Sequence, residues 1–348
     1  MRSGFFKQKY SDLVVLTDSP AVKAWVAVLL VVLIGAPFVM SNYVLSHMTV
    51  ILFTIVGALG LMVLTGFTGL ISLGHVGFLM LGGYAYAIGV TRLGLPPELA
   101  LVMSAVVPAA FGLIVGIPSL RLHGLYLAIT TLAFAHIVSA GILAGGKFTG
   151  AGSGIAVERP VMLGMDLSSD RAFYWFCVAM CVLAVLVVLN LRRSYVGRAL
   201  VAIRDNDIAA RTMGISLVRY KLLAFLVSAA LTGVAGALMG MYMSIVSVEG
   251  YPFLLSIEAL AVIIVGGIGS VLGAVLGAVF IVSMPEVFSA LMAGLGGRLA
   301  ELMTTSAHEV KTILYGLAIV AFLRFDPRGL RGMWHDLRHA WVFWPLRY

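Results

Sequence analysis

Residues Leu191–Lys221 read LRRSYVGRALVAIRDNDIAARTMGISLVRYK, and this charged stretch lies between two long apolar runs. Its basic residues outnumber its two acidic residues, Asp205 and Asp207. Each such charge would cost about 2.5–3.5 kcal/mol at the centre of a bilayer, so the stretch cannot lie in lipid. The sequence therefore predicts a water-facing loop between membrane spans, and the positive-inside rule places this loop in the cytoplasm.

The rest of the chain has the composition of a membrane protein. Of its 348 residues, 61% are hydrophobic and only 11% are charged, and the mean hydropathy is +1.07. Soluble domains carry about 25% charged residues. The apolar runs have about 20 residues each, which is the length of helix that crosses a bilayer. We therefore predict an all-α fold, a polytopic bundle of transmembrane helices, and no soluble domain.

Ten spans can be drawn along the chain. They are 24–41, 47–65, 70–90, 98–117, 125–144, 172–190, 222–243, 254–269, 272–291 and 310–323. This even number puts the basic segments 1–23, 191–221 and 324–348 on one side of the membrane, so both termini are predicted to be cytoplasmic. The net charge of +8 then reflects topology and contacts with anionic lipid rather than binding of nucleic acid. Residues 254–291 fit either two spans or one broken or re-entrant helix.

The sequence contains no motif for catalysis or for a metal site. Residues Gly141–Phe148 resemble a phosphate-binding loop, but Phe148 stands where a Ser or Thr would hold Mg²⁺. Cys177 and Cys181 lie on one apolar helix and do not form a disulfide framework. We expect no catalytic residue, metal or cofactor on this chain, so any nucleotide hydrolysis would belong to another polypeptide.

Several polar residues within the apolar spans are candidates for a solute pathway, because polar groups inside a membrane require a reason. They are Ser72, His75, Thr130, Thr131 and Glu258. The alternative for each is a structural role, such as a hydrogen bond to a neighbouring helix. Glu258 and Glu286 both lie near predicted outer edges of their spans. The small number of ionisable groups disfavours a secondary transporter that is driven by an ion gradient.

Many glycines occur at spacings typical of close helix packing in lipid, and a hinge or a pathway wall is the alternative. These packing or hinge candidates are Gly236, Gly240, Gly266, Gly267, Gly269, Gly273 and Gly277.

The centre of the charged loop predicts a short helix. Residues 205–207 offer N-cap side chains, and Gly214 is placed to end the helix. Such a helix suits docking into a groove on a partner, whereas the alternative is a helix that lies on the membrane surface. The candidate docking residues are Arg204, Asp205, Asp207, Ile208, Ala209, Ala210, Arg211, Met213 and Gly214.

Four segments of the chain together resemble one known family. In the order of the chain they are Gly66–Ala87, Ala202–Phe225, Ser256–Val279 and Phe325–Leu330. The set is similar to the branched-chain amino acid ABC transporter permeases, and in particular to the second of the two permease subunits that pair in that family.

The resemblance implies several partners for a permease in the inner membrane. They are a homologous second permease, two ATPase subunits that bind ATP and Mg²⁺, and an extracytoplasmic solute-binding protein.

The spacing of Ala209, Ala210 and Gly214 matches the docking motif of ABC importers, in which a glutamate would replace Ile208. The nearest acid here is Asp207. The proline-ended part of that motif is missing.

The resemblance implies a branched-chain or related amino acid as the solute. Amides, urea and aromatic acids are alternatives within the family. Outside it, a self-contained secondary transporter or channel and a membrane-embedded enzyme are the rival hypotheses.

Overall fold

The computed structural model describes residues 31, 33–122, 124–162, 164–295, 307–326 and 328–334. The helices are α1 Asn42–Leu61, α2 His75–Thr91, α3 Pro97–Ser119, α4 Leu125–Ala144, α5 Asp170–Arg193, α6 Tyr195–Asp205, α7 Asp207–Thr212, α8 Leu217–Met243, α9 Leu254–Gly266, α10 Val271–Leu295 and α11 Ala307–Phe325. Residues 33–39 and 329–334 are also helical. The predicted segment 1–23, residues 24–30 and 32 of the predicted span 24–41, and the tail beyond residue 334 lie outside the described residues.

The architecture confirms an all-α, polytopic membrane protein. Six described helices are long and apolar enough to cross a membrane, namely Asn42–Gly66, α3, α4, α5, α8 and the Val271–Phe288 part of α10. Helices α2 and α9 are apolar but shorter, with 17 and 13 residues. Helix α2 follows an interruption that the apolar pattern of the sequence does not reveal, whereas α9 ends at the break between the predicted spans 254–269 and 272–291.

Helix α8 is the centre of the bundle and packs against α1, α2 and α3. Its glycines allow this close approach. A Cβ added at Gly236 would lie 1.9 Å from the Leu79 carbonyl oxygen, and one at Gly233 would lie 2.2 Å from the Ser104 carbonyl oxygen. Backbones therefore meet at these crossings, as in the small-residue contacts typical of helices in lipid.

The third predicted span, 70–90, is wrong at its start. Helix α1 continues through a π-helical turn, Met62–Gly66, and helical structure ends at Thr68. Residues 69–74 are not helical, and α2 begins only at His75. We call residues Gly69–Gly74 the interrupted segment.

Side chains from other helices explain the interrupted segment. The Leu73 backbone N–H donates to Thr131 Oγ1 at 3.0 Å, and the Val76 N–H, in the first turn of α2, donates to Ser256 Oγ at 2.9 Å. Non-helical backbone at depth requires such partners, because lipid offers none. Tertiary hydrogen bonds thus replace the helical ones.

The region 254–291 forms two helices joined by a tight turn. Gly267 and Gly269 in this turn have φ angles of +112° and +82°, which only glycine adopts easily. A Cβ at Gly266 would lie 1.9 Å from the Gly273 carbonyl oxygen, and one at Gly277 would lie 2.0 Å from the Val262 carbonyl oxygen. Helices α9 and α10 therefore pack as a hairpin. Gly269 lies in the turn between these two helices, whereas Gly273 and Gly277 lie on α10.

The far end of the bundle carries two small β-ribbons. Strand β1, Ile155–Ala156, pairs antiparallel with β4, Ile245–Val246. Strand β2, Val161–Met162, pairs antiparallel with β3, Met165–Asp166. The first ribbon joins the loop before α5 to the segment that follows α8. We call this the β end of the bundle, and the end that carries α6, α7 and the Gly267–Ser270 turn the α7 end.

Candidate functional site

Helix α6 leads the chain from α5 to the short helix α7. The Gly197 N–H donates to Ser194 Oγ at 3.2 Å, so Ser194 caps the start of α6. A Cβ at Gly197 would lie 2.2 Å from the Leu191 carbonyl oxygen, which keeps the α5–α6 corner tight. Leu200 and Ile203 are buried and anchor α6 to the bundle. The corner therefore gives α7 a fixed starting point.

Helix α7 has a defined cap at each end. Asn206 Oδ1 accepts from the Ala209 N–H at 2.9 Å, which makes Asn206 the N-cap among the three predicted candidates. Gly214 has a φ of +83°, and the Ile215 N–H donates to the Ala210 carbonyl at 3.0 Å. These contacts form a Schellman motif, which stops the helix. The short helix and its glycine stop are present as predicted.

The exposed apolar surface of α7 is smaller than the sequence suggests. Ile208 and Met213 are 75% and 83% exposed, whereas Ala210 is only 4% exposed. Ala210 therefore faces the bundle, and its prediction as part of an outward docking face is wrong. Ala209 and Arg211 are exposed beside Ile208 and Met213. An isoleucine and a methionine fully presented to solvent in a charged loop are suited to contact with another protein.

The guanidinium of Arg204 contacts the chain's own backbone. Its Nη1 donates to the Gly66 carbonyl oxygen at 2.7 Å. A Cβ at Gly269 would lie 2.8 Å from the same Nη1, and one at Gly69 would lie 3.4 Å from Arg204 Cγ. Sequence reasoning groups Arg204 with the docking residues, but no sequence signal indicates this contact, which joins residues 138 positions apart.

A groove of about 420 Å³ lies beside the start of α7. Residues of the interrupted segment and of the α6–α7 junction line it, together with Lys221, which is 5% exposed. The groove leaves open space between α7 and the interrupted segment. Arg204 lies at the edge of this groove and reaches from the α7 side to the interrupted segment.

A second, smaller cavity lies at the centre of the bundle and measures about 40 Å³. Its walls come from α1, α2, α8 and α9 and include Phe53, Gly57, His75, Leu79, Met239 and Glu258. Pockets that bind small molecules measure roughly 300–1,000 Å³, so this cavity is too small for an amino acid. In this conformation the centre of the bundle is closed to a solute.

Two predicted pathway residues meet at this central cavity. His75 and Glu258 are 3% and 6% exposed, and Glu258 lies near the start of α9, as predicted. His75 Nδ1 lies 3.4 Å from Thr232 Oγ1, and the Tyr315 hydroxyl lies beside the Glu258 carboxyl group. Both ionisable side chains are therefore held by neighbours from other helices. Thr232 and Tyr315 are site residues that sequence reasoning missed, and a polar group on an apolar helix is the only signal for them.

The other pathway candidates do not line the cavity. Ser72 Oγ accepts from the Gly74 N–H at 3.3 Å, and Thr131 Oγ1 accepts from the Leu73 N–H. Thr130 Oγ1 donates to a carbonyl one turn earlier in its own helix, at 2.8 Å. Ser72 and Thr131 therefore support the interrupted segment. Glu286 is exposed on α10 and accepts from the Tyr43 hydroxyl, well away from the cavity.

Among the described residues, no group of three or more His, Cys, Asp or Glu side chains could hold a metal ion. The ionisable groups of the cavity are one imidazole and one carboxyl group. This arrangement can orient a polar solute or exchange a proton.

Comparisons with known proteins agree with this architecture. Residues 43–323 match the family described as "Branched-chain amino acid transport system / permease component". The chain is 35% identical over 335 residues to the high-affinity branched-chain amino acid transport system permease protein LivM of Salmonella typhimurium, a match that covers 89% of this chain and 75% of that protein. It is 34% identical to LivM of Escherichia coli, with the same coverage.

A more distant relative is the probable branched-chain amino acid transport permease protein LivH of Methanocaldococcus jannaschii, which is 28% identical over 75% of this chain and 83% of its own length. No solved structure matches the chain. The family match spans most of the bundle, from the start of α1 nearly to the end of α11, and includes both α7 and the central cavity. The chain therefore belongs to the permease components of branched-chain amino acid transport systems.

Proposed function

We propose that this chain is a permease subunit of a binding-protein-dependent ABC importer in the inner membrane, and that its solute is a branched-chain or related amino acid. It pairs with a homologous permease, receives solute from an extracytoplasmic binding protein, and is driven by two ATPase subunits that bind ATP and Mg²⁺. The names of its relatives support the solute class. Relatives named both LivM and LivH support a paired arrangement.

The observation that carries this proposal is helix α7, a capped helix at the basic end of the bundle. Asn206 and Gly214 fix its ends, so its shape does not depend on a partner. Ile208 and Met213 project from it into solvent. A preformed helix with two apolar side chains is suited to a groove on an ATPase subunit. A helix that lies on the membrane surface remains the alternative use of the same face.

The solute path runs through the region between α1, α2, α8 and α9. The cavity there is closed, and its walls combine apolar side chains with His75 and Glu258. Alternating access requires this cavity to open in turn toward each side. An amide, urea or an aromatic acid is the alternative solute, and competition against uptake of labelled leucine would distinguish them.

The docking proposal is tested with Met213→Glu. The residue is exposed, so the permease should insert normally, while a carboxylate in an apolar groove should weaken ATPase binding by about tenfold or more. The measurement is co-purification of the ATPase subunits with the tagged permease, followed by ATP-dependent uptake in proteoliposomes.

The matched control is Tyr195→Glu, which changes another exposed residue of the same loop outside α7. It should retain the ATPase subunits. If Met213→Glu retains them equally well, α7 is not the docking helix. Uptake driven by an ion gradient in liposomes that lack the ATPase subunits would favour the secondary transporter.

A further inference from the structure

We propose that Arg204 is a positioning residue that transmits movement of α7 to the two interruptions of the bundle, the interrupted segment and the Gly267–Ser270 turn. The inference rests on the proposed function, because it assumes that an ATPase moves α7. It goes beyond docking, since it names the side chain through which that movement reaches the solute path.

The first step is the contact with α1. The Arg204 guanidinium donates to the Gly66 carbonyl oxygen at 2.7 Å, at the end of the π-helical turn. A helix end presents unpaired carbonyl groups and partial negative charge, so a permanent cation is bound well there. Arg stays protonated at any physiological pH and offers five N–H donors in one plane. The positive charge at this contact is therefore present at any physiological pH, and the planar donors give the contact a direction.

The second step is that the same guanidinium also lies against the second interruption. No side chain fits at Gly269 without displacing Nη1, because its Cβ would lie only 2.8 Å from that atom. A Cβ at Gly66 would lie 2.9 Å from the Gly269 backbone nitrogen, so the π-helical turn of α1 and the Gly267–Ser270 turn also touch each other. Arg204 thus contacts the end of α1 and the turn between α9 and α10 at one point.

The third step is the short connection from Arg204 to α7. Only Asp205 separates Arg204 from Asn206, the N-cap of α7. The Asn206 N–H donates to the Ala202 carbonyl at 3.1 Å, which completes the last turn of α6 and keeps this junction rigid. The groove of about 420 Å³ lies between α7 and the interrupted segment, and Arg204 packs against Gly69 at its edge.

The fourth step is that the interrupted segment and the Gly267–Ser270 turn both connect to residues of the central cavity. The interrupted segment ends at His75, which lines the central cavity. Helix α9 runs from the Gly267–Ser270 turn back to Glu258, which lines the same cavity. A shift of Arg204 would therefore move both ionisable groups of the cavity together. The rest of the wall belongs mainly to α1 and α8.

The alternative is that Arg204 only stabilises the fold. The two roles predict different ratios of uptake to ATP hydrolysis. A purely structural defect lowers uptake and hydrolysis together, whereas a broken transmission lowers uptake alone. The test uses the complete complex of both permeases, the ATPase subunits and the binding protein in proteoliposomes. It measures leucine uptake, ATP hydrolysis and ATPase co-purification for each variant.

For Arg204→Gln we expect uptake to fall by about tenfold to a hundredfold, the effect of losing one charge-assisted hydrogen bond. ATPase co-purification and ATP hydrolysis should remain close to wild type, because the Arg204 guanidinium is bound to the Gly66 carbonyl oxygen of its own chain and so is not part of the exposed docking face of α7. Arg204→Lys keeps the charge and one donor, and should lie between Arg204→Gln and wild type. The matched control is Arg219→Gln, an exposed arginine of the same loop, which should retain both uptake and hydrolysis.

Gly269→Ala tests the same contact from its other side, because the added Cβ displaces the guanidinium. The change also strains the turn, because Gly269 has a φ of +82°, so thermal unfolding of this variant is measured beside its uptake. If Arg204→Gln fails to insert, Arg204→Lys makes the same comparison.

Uptake that matches wild type in these variants, or uptake and hydrolysis that fall in equal proportion, would overturn the proposal. A wild-type complex that takes up leucine without its ATPase subunits would contradict the proposed function itself, and that result is visible before any variant is made.

Discussion

At the residue scale, single glycines decide how closely the helices of this bundle approach. The Cβ of an alanine at position 236 would lie 1.9 Å from the Leu79 carbonyl oxygen, so backbone would have to move. Gly141 lies in α4 with nothing within 4 Å of its added Cβ. The same substitution therefore has opposite consequences at two positions that look alike in the sequence.

Gly236→Ala should lower the stability of the purified permease by about 1–3 kcal/mol, the usual penalty for overpacking a well-packed site. Gly141→Ala should leave stability unchanged or raise it slightly, because alanine has the higher helix propensity. Thermal unfolding of both variants in the same detergent makes the comparison. Equal melting temperatures for the two variants would mean that α2 and α8 do not meet backbone to backbone at this point.

Residue-scale features differ in how far the sequence reveals them. The caps of α7 are local, because Asn206 bonds to a residue three positions ahead and Gly214 ends the helix through its own backbone. Such features follow from residue type and spacing. The contact of Arg204 depends on a carbonyl group 138 positions away, and any backbone carbonyl is an equally good acceptor in sequence terms. The cap was therefore predictable and the contact was not.

At the scale of elements, the interruption before α2 depends on the neighbouring helix α4. Thr131 Oγ1 accepts from the Leu73 N–H at 3.0 Å and donates to a carbonyl of its own helix. Thr130, the next residue, bonds only within α4 among the described contacts. These adjacent threonines form a natural pair for testing whether the interrupted segment matters to transport.

Thr131→Val should weaken the interrupted segment, because the half-buried Leu73 N–H would lose its acceptor at a cost of about 1 kcal/mol. We expect lower uptake and a lower melting temperature, with ATPase binding unchanged. Thr130→Val removes a hydroxyl from the same helix without touching the segment, and should retain wild-type uptake. If the two variants behave alike, the hydrogen bond from Leu73 does not hold the segment in place.

The sequence predicts some elements well and others badly for one physical reason. The predicted spans 98–117 and 125–144 correspond closely to Pro97–Ser119 and Leu125–Ala144. A continuous apolar run reports that a segment avoids water, and an isolated run in lipid must be helical. It does not report whether a segment inside the bundle is helical, because Thr131 and Ser256 can satisfy its backbone instead. The start of α2 and the short length of α9 therefore escape a reading of hydropathy.

At the scale of the whole molecule, the proposed mechanism requires α7 and the β-ribbons to lie on opposite sides of the membrane. Helix α5 connects these two ends and has 24 residues, so it is about 36 Å long at 1.5 Å per residue. This length exceeds the roughly 30 Å of hydrocarbon that a span must cross. Phe148 lies before α5 and Met213 lies after it, and both are exposed, at 55% and 83%. One crossing therefore separates two accessible positions.

Cysteines introduced at these positions should react with a membrane-impermeant maleimide from opposite sides. The native Cys177 and Cys181 are buried and give no background labelling of the folded protein. In intact spheroplasts that lack the ATPase subunits, Phe148→Cys should be labelled at once, and Met213→Cys only after the membrane is opened. Each variant should first be shown to support uptake when the complete complex is present. Labelling of Met213→Cys from the outside would place α7 where no cytoplasmic ATPase reaches it. That result would contradict both the proposal that ATPase subunits drive transport and the proposed role of Arg204.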